Sequence, residues 1–432
     1  MNLIIHRGTN EIGGTCIELQ SSSTRILLDF GMPLVTPKGD GFDMKIHAGK
    51  STDELISQGV LPNVQGAYSD PLAIDGVIIS HPHQDHFGLM QYLNKTIPIW
   101  LGKATHKLLE INNIFLSQQN HVNKTYFFEK SVPFTIGDFT ITPYWNDHLA
   151  FDSYSFLLEA EGKRLFYSGD FRSHGRKSRA YRWFLSNKPS DIDYLLLEGT
   201  TIGRGSSKFQ TEADIENELV ELFKKSQSIN YIYTSSQNLD RLVSIYRACV
   251  RSGKILVADI YTTYVLDMLS EFAGFPTPLK GYDSIQVLYP YWLTKRLFDN
   301  GHKDIAYLFT KHKISKDEIN KNPSKYVLIV RPSMKTDLKM IDAENGNLVY
   351  SMWEGYKNQP QTKEFLDWLL DKNFTIHDIH TSGHADVDTL KEYVDAINPK
   401  AIIPIHTFNK SEYKNIFNQR VVELDDNMIF HV

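Results

Sequence analysis

The sequence predicts an α/β protein built as two compact units. Three observations lead there. Its 432 residues exceed what a single hydrophobic core normally organises. Residues 1 to about 200 read as short apolar strands joined by turns. After residue 208 the texture changes to helices alternating with strands, the pattern of a parallel sheet covered by helices.

The strand-rich part predicts strands at Leu3–Ile5, Cys16–Leu19, Arg25–Leu28, Ile74–Ile79, Phe139–Pro143, Tyr154–Leu158, Arg164–Tyr167 and Tyr194–Leu197. One helix, Thr105–Leu116, interrupts them. The stretch from Pro33 to Pro71 is long, polar and punctuated by glycine and proline, so it reads as a lid or a loose insertion. In the second part, Thr211-Glu212-Ala213-Asp214 is a capping box ahead of Ile215, Leu219, Leu222 and Phe223 at helical spacing. A strand at Tyr231–Tyr233, a helix over Leu239–Arg251, a strand at Ile255–Ala258 and a helix over Tyr264–Phe272 follow. Tyr326–Val330 reads as the last core strand, and Gln361–Leu370 begins another helix. From Ile376 onward the motifs return to the first unit.

With 41% hydrophobic and 22% charged residues the chain has the composition of a globular protein. Met1 to Gly8 lacks a basic segment and a long apolar core, and no later apolar run is long enough to span a bilayer, so the expected location is the cytoplasm. Cys16 and Cys249 both sit in apolar segments, which excludes a cysteine-rich zinc module and leaves histidine and carboxylate as metal ligands. The formal net charge of −5 excludes a bulk nucleic-acid coat and leaves room for a basic channel. Arg172, Arg176, Lys177, Arg179 and Arg182, with Tyr181 and Trp183, form the local candidate; a solvated surface is the equally weighted reading.

Several apolar strands end in a residue that can act chemically. Ile26-Leu27-Leu28 ends at Asp29, Val77-Ile78-Ile79-Ser80 at His81, Leu165-Phe166-Tyr167-Ser168-Gly169 at Asp170, Leu195-Leu196-Leu197 at Glu198, and Ile402-Ile403-Pro404-Ile405 at His406. Ligands at strand ends on one sheet edge are held rigidly and can converge. The densest cluster is His81-Pro82-His83-Gln84-Asp85-His86. Pro82 disfavours a helix at His81 and at its own position, which excludes the helical His-Glu-x-x-His arrangement. In an extended turn His81 and His83 point the same way and can share one metal, with Asp85 and His86 displaced toward a second. Zinc accepts imidazole nitrogen and carboxylate oxygen, and Asn146-Asp147-His148 and Ser168-Gly169-Asp170 can supply further ligands. Alone, His148 would be an ordinary hydrogen-bonded histidine, Asp170 a turn residue, Asp29 a strand terminator and Glu198 a solvated carboxylate. The six-residue cluster, in a chain of 16 histidines, lifts all four.

Asp29, His81-x-His83-x-Asp85-His86, His148 and Asp170, in that order, resemble the four metal motifs of the metallo-β-lactamase fold. Leu197-Glu198-Gly199-Thr200-Thr201, Thr381-Ser382-Gly383-His384-Ala385 and Ile403-Pro404-Ile405-His406 resemble the three further motifs of its β-CASP branch of RNA- and DNA-processing nucleases. The likeness is closest to ribonuclease J and its relatives, including the early turn Asn10-Glu11-Ile12-Gly13-Gly14, and covers nearly the whole chain. One departure is Thr407-Phe408 after His406, where ribonuclease J has glycine and glutamate; another is the stop at Val432, short of that enzyme's usual C-terminal domain.

The resemblance implies a metallo-β-lactamase αββα sandwich over residues 1–208, an inserted β-CASP α/β domain over 209–357 and a return segment over 358–432. It implies two Zn2+ per chain, with Mn2+ as the other candidate. His81, His83 and His148 would hold one ion, and Asp85, His86 and His406 the other, with Asp170 bridging. Asp85, His384, Glu198 and Asp29 become the catalytic set: Asp29 orients the cluster, Glu198 orients a neighbouring histidine, and His384 contacts the scissile phosphate. The nucleophile would be a metal-bound hydroxide. Ser235, Ser236, His380 and Ser382, beside Asn238, Asp240 and Arg241, resemble the pocket for a nucleotide phosphate; ordinary helix capping is the competing reading. The implied function is a zinc-dependent ribonuclease, acting as a 5′-exonuclease, an endonuclease or both, on an RNA substrate and with a homodimer as a candidate assembly. The alternatives are a two-metal hydrolase of DNA or of small phosphodiesters, and a non-catalytic β-CASP scaffold subunit.

Overall fold

Alternate residues of the N-terminal strands face two different cores, and this alternation sets the architecture. Ile26 and Leu28 join one buried cluster while Leu27 joins another. Likewise Leu165 and Tyr167 lie in the first cluster and Phe166 in a third, as expected where successive side chains leave opposite faces of a sheet. Two seven-stranded sheets therefore share one core and carry a further apolar layer on each outer face. The computed structural model describes residues 1–36, 41–116, 118–120, 124–205 and 208–432.

The first sheet runs Ile429–His431, Asn2–Arg7, Cys16–Gln20, Arg25–Leu28, Gly76–Ile78, Ile99–Leu101, Thr125–Phe127. The second runs Arg420–Val421, Ala401–Ile405, Tyr194–Glu198, Lys163–Tyr167, Tyr154–Ala160, Phe139–Trp145, Phe134–Ile136. Tyr181 and Phe184 of the helix Ser178–Asn187, with Leu390, Tyr393 and Val394 of the helix Val387–Ile397, cover the outer face of the second sheet. The four layers are those of an αββα sandwich.

The outer face of the first sheet corrects one expectation. Leu55, Val60, Leu61, Val64 and Ala67, all within the stretch expected as a lid or loose insertion, pack there against Val77, Ile79 and Phe87. Arg7 ties the same segment down by donating to the carbonyls of Gly59 and Val60 at 2.5 and 3.1 Å. From Leu55 to Ala67 this stretch contributes to the core.

The second unit holds a six-stranded, all-parallel sheet in the order Ile285–Leu288, Ile255–Asp259, Tyr326–Val330, Asn230–Tyr233, Asn347–Tyr350, Thr375–Asp378. Thr211 caps the helix Glu212–Lys225 through the capping box read from the sequence. Asp259 caps the next helix but one, so that helix is Ile260–Leu269, four residues earlier than the expected start at Tyr264. Two strands follow Tyr326–Val330, the expected last one. The units divide as 1–109, 119–208 and 383–432 against 110–118 and 209–382. The return therefore begins at Gly383 and not at residue 358, because Thr375–Asp378 pairs with Asn347–Tyr350 and Phe365 and Leu369 lie in the second unit's core. Cys16 and Cys249 are buried free thiols. Among the described residues no helix is long and apolar enough to cross a membrane.

Candidate metal centre

The strand Gly76–Ile78 delivers Ser80 and His81 to a sheet edge. The expected extended turn holds through His83, whose backbone is β-like (φ −96°, ψ 146°), and then winds into the helical turn Gln84–Phe87. Past Pro82 the backbone can turn: the amides of His86 and Phe87 both donate to the His83 carbonyl, at 2.9 and 3.1 Å. That turn brings Asp85 and His86 back beside His81, whose ring centroid lies 3.9 Å from that of His86 and 4.9 Å from that of His83. Neighbouring loops hold it in place: Phe30 donates to His86 O at 2.7 Å, Met32 to Gln84 O at 2.9 Å and Thr15 to Asp85 O at 3.0 Å.

Asp29 ends its strand in a left-handed conformation (φ 59°), uncommon for a non-glycine residue and frequent at functional sites. Its carboxylate is buried and accepts from the Ser80 amide at 2.7 Å, the Ser80 hydroxyl at 2.7 Å, the Tyr167 hydroxyl at 2.6 Å and His86 Nδ1 at 2.7 Å. His406 follows its strand in the same conformation (φ 51°), its amide held 2.7 Å from the Gly8 carbonyl. The Thr200 hydroxyl meets His406 Nδ1 at 2.8 Å, while His406 Nε2 lies 3.3 Å from Asp85 Oδ2. Thr200 is a site residue to which the sequence motif assigns no task; its signal is position, two residues past a strand-end carboxylate.

Gly169 (φ 52°) makes the bend before Asp170, and a Cβ there would come within 2.5 Å of the Tyr154 carbonyl. His148 is oriented by its Nδ1, 2.7 Å from the carbonyl of Gly383. The basic run is tied to this loop. Arg172 is buried 3.6 Å from the Asp147 carboxylate, the Gly175 amide donates to Asp147 at 2.9 Å, and Lys177 donates to the His148 carbonyl at 2.7 Å. Arg172 and Lys177 thus depart from the reading of a solvated surface.

The side chains converge in three groups: His81, His83 and His148; Asp85, His86, Asp170 and His406; and Asp170, Glu198, His384 and His406. Within each, the ligating atoms lie within 4.8 Å of one another. Asp170 Oδ2 belongs to all of them in practice, being 3.2 Å from His86 Nε2, 3.7 Å from His81 Nε2 and 3.9 Å from His148 Nε2. Glu198 lies 3.1 Å from His384 Nδ1.

Burial pulls the imidazoles of His81 and His148 well below the usual histidine range and His83 down to about 4, so this group is neutral and able to ligate. For His86 burial acts the same way, but Asp170, Asp29 and Asp85 outweigh it and raise the ring well above that range. Burial would lift the Asp85 and Asp170 carboxyls. Asp85 is instead held down to about 2 by His86 and His406, and Asp170 well below its usual value by His406, His86 and His384. His384, which burial would lower, is raised to about 9 by Glu198 and Asp170. His81 Nε2, His86 Nε2 and Asp170 Oδ2 are buried with no hydrogen-bond partner. Buried polar atoms are seldom left so, and the donor set of the first two groups, five imidazoles and two carboxylates without thiolate, suits zinc or manganese.

The residues expected at a phosphate pocket all lie in the second unit. Ser235 and Ser236 follow the strand Asn230–Tyr233, and His380 and Ser382 follow Thr375–Asp378, two strands away at the same carboxyl edge, about 10 Å by strand spacing. The Ser236 hydroxyl binds Thr262 at 2.7 Å and Arg331 at 2.8 Å. Asn238 caps its helix by accepting from the Arg241 amide at 3.1 Å, and the buried Arg241 guanidinium meets Glu212 at 3.0 and 3.1 Å. Arg241 therefore serves an internal ion pair.

Two family models match the chain: a β-lactamase superfamily domain over residues 46–225 and a Zn-dependent metallo-hydrolase RNA specificity domain over residues 369–411. Similar curated proteins include ribonuclease J of Helicobacter pylori (strain B128), 23% identical over 95% of this chain and 55% of its own length. An RNase J-like protein of Methanocaldococcus jannaschii is 23% identical over 60% of this chain and 58% of its own. The chain thus spans a little over half the length of these relatives. A crystal structure of a protein of unknown function from Enterococcus faecalis V583 superposes with a TM-score of 0.78 at 20% identity, covering 99% of both chains, which speaks for the fold. The two matched domains, in this order and on this four-layered sandwich, show the metallo-β-lactamase fold and support a likeness to its β-CASP nucleases close to ribonuclease J.

Proposed function

We propose that this chain is a zinc-dependent ribonuclease, a 5′-exonuclease, an endonuclease or both. The observation that carries the reading is the set of buried, unbonded atoms His81 Nε2, His86 Nε2 and Asp170 Oδ2 amid two converging clusters of imidazoles and carboxylates. His81, His83 and His148 would hold one ion and Asp85, His86 and His406 a second, with Asp170 shared. Such ions, when bound, supply Lewis acidity at a phosphoryl oxygen and make water acidic enough to attack at neutral pH.

The chain's own residues supply the rest. Asp29 fixes the His86 ring so that Nε2 faces the cluster, and Thr200 and Gly383 do the same for His406 and His148. Glu198 keeps His384 oriented and protonated at neutral pH. As water oxygen bonds to phosphorus and the bond to the leaving oxygen breaks, His384 can give its proton to that oxygen. Ser235, Ser236, His380 and Ser382 would receive a nucleotide phosphate. RNA as the substrate is supported by the match to an RNA specificity domain and by the names of the relatives.

The test is metal content together with cleavage of matched RNA and DNA bearing a 5′-monophosphate, a 5′-triphosphate or a 5′-hydroxyl. About two zinc ions per chain are expected, as in two-metal hydrolytic sites, with cleavage of RNA that an Asp85→Ala, His86→Ala variant lacks. Equal cleavage by parent and variant overturns the site, and preference for DNA overturns the substrate.

A further inference from the structure

The second unit exposes an aromatic and cationic surface at the far edge of its sheet. Beyond the edge strand Ile285–Leu288 come the helices Tyr291–Asp299 and Lys303–Leu308, which meet where the rings of Phe298 and Tyr307 lie 5.6 Å apart. Helices of this kind normally turn aromatic residues inward. Here Tyr291, Trp292 and Tyr307 are 59%, 62% and 64% exposed, the first two in edge contact at 5.1 Å. Positions 291, 292, 295, 296 and 299 are all exposed, so the rings share one helix face with Lys295 and Arg296.

The charge of this segment is one-sided. From residue 291 to 313 the chain carries Lys295, Arg296, Lys303, Lys311 and Lys313 against Asp299 and Asp304, within a protein whose formal net charge is −5. Asp299 is spent on Lys295 at 2.5 Å. Lys303, Lys311 and Lys313 enter no ion pair among the described residues. A bridge from Val287 to Lys313 keeps the last of these against the edge strand, its ammonium 5.5 Å from the Tyr289 ring. A second copy of the chain is a poor occupant, because an isologous contact would set this positive face against itself. A strand with flat faces and a negative charge at every step is complementary to both features.

Resting on the ribonuclease reading, we propose that Trp292, Tyr307 and Tyr291, with Lys303, Lys311 and Lys313, form a platform on the second unit that binds single-stranded RNA. Bases stack on the rings, and the lysines meet phosphates. The surface reads shape and charge and is tolerant of sequence.

The experiment uses the full chain in the Asp85→Ala, His86→Ala background, so that RNA is bound without being cut. Fluorescence anisotropy measures the Kd of a labelled single-stranded RNA long enough to span several stacking sites, for this protein and for further variants Trp292→Ala, Tyr307→Ala and Lys303→Glu, Lys311→Glu. Thermal unfolding checks that each variant folds, and sedimentation its association state. The ring variant is expected to bind at least about tenfold more weakly. The charge variant is expected to bind more weakly with a shallower salt dependence. A Kd within twofold of the background's overturns the platform, as does a change in sedimentation without a change in Kd, which would make the face a protein contact. If the unmutated chain cleaves RNA while the variants bind as before, the platform fails alone; if it neither binds nor cleaves RNA, the ribonuclease reading fails with it.

Discussion

The Asp29 carboxylate accepts a hydrogen bond from His86 Nδ1 at 2.7 Å, while His86 Nε2 stands 3.2 Å from Asp170. One ring thus connects an aspartate at the end of the third strand to the shared carboxylate of the cluster. Because Asp29 also accepts from Ser80 and Tyr167, it cannot swing away. Replacing it by asparagine keeps the shape but removes the charge that fixes the ring's tautomer. Asp29→Asn should weaken zinc binding by about 10- to 100-fold with the fold intact; competition with a chromophoric chelator measures this, and unchanged affinity would remove Asp29 from the orienting role.

Glu198 sets the proton affinity of His384. In the metal-free chain, the His384 ring should titrate near the value of about 9 that Glu198 and Asp170 impose. A histidine whose pKa rises on folding contributes stability that is complete below the ordinary value of 6.5 and is lost as pH climbs through about 9. Glu198→Gln should move the ring toward 6.5 and flatten that alkaline loss. NMR titration of the imidazole protons, alongside unfolding at several pH values, would decide; identical titration in both proteins contradicts the pairing.

Asp170 faces both histidine groups, so metal binding should be linked to folding through it. Zinc at a hundredfold excess over its Kd should stabilise the native chain by about 2.7 kcal/mol, since the unfolded chain lacks the site. Chelation should reverse this. Asp170→Ala should abolish most of the gain, read as the zinc-dependent shift in thermal unfolding; a full shift in the variant would show that the ions bind elsewhere.

Much of this site was legible because strands that end in a reactive residue keep that pattern in sequence. Asp29, His81, Asp170, Glu198 and His406 all stand where a short apolar run stops. Their convergence was legible only through motif resemblance, because nothing in spacing alone brings His406 to Asp85. What escaped did so for physical reasons. Thr375–Asp378 is an edge strand with polar, partly exposed side chains, so it carries no apolar run. The segment before Pro71 buries its apolar residues through irregular backbone, so neither helical nor strand periodicity marks it. Asp259 sits at a strand end as well, but its side chain caps a helix, which is why that helix begins early.

Gly31 is the other residue whose task only three dimensions reveal. Its backbone is not in the left-handed region; the constraint is space. A Cβ built there would lie 1.7 Å from the Asp85 carbonyl oxygen and 2.8 Å from the Thr15 amide. These two groups are hydrogen-bonded to each other at 3.0 Å, and Gly31 donates to Thr15 O at 2.9 Å. A methyl group would thus have to push the metal-binding turn off the strand end that holds it. Overpacking of this kind typically costs about 1–3 kcal/mol, and here the atoms displaced are backbone atoms that carry Asp85 and His86. Gly31→Ala should therefore lower zinc affinity and thermal stability together. Gly41, which has nothing within 4 Å of its built Cβ, provides the control: Gly41→Ala should leave both unchanged. Normal zinc binding in Gly31→Ala would mean that the turn can move without disturbing its ligands.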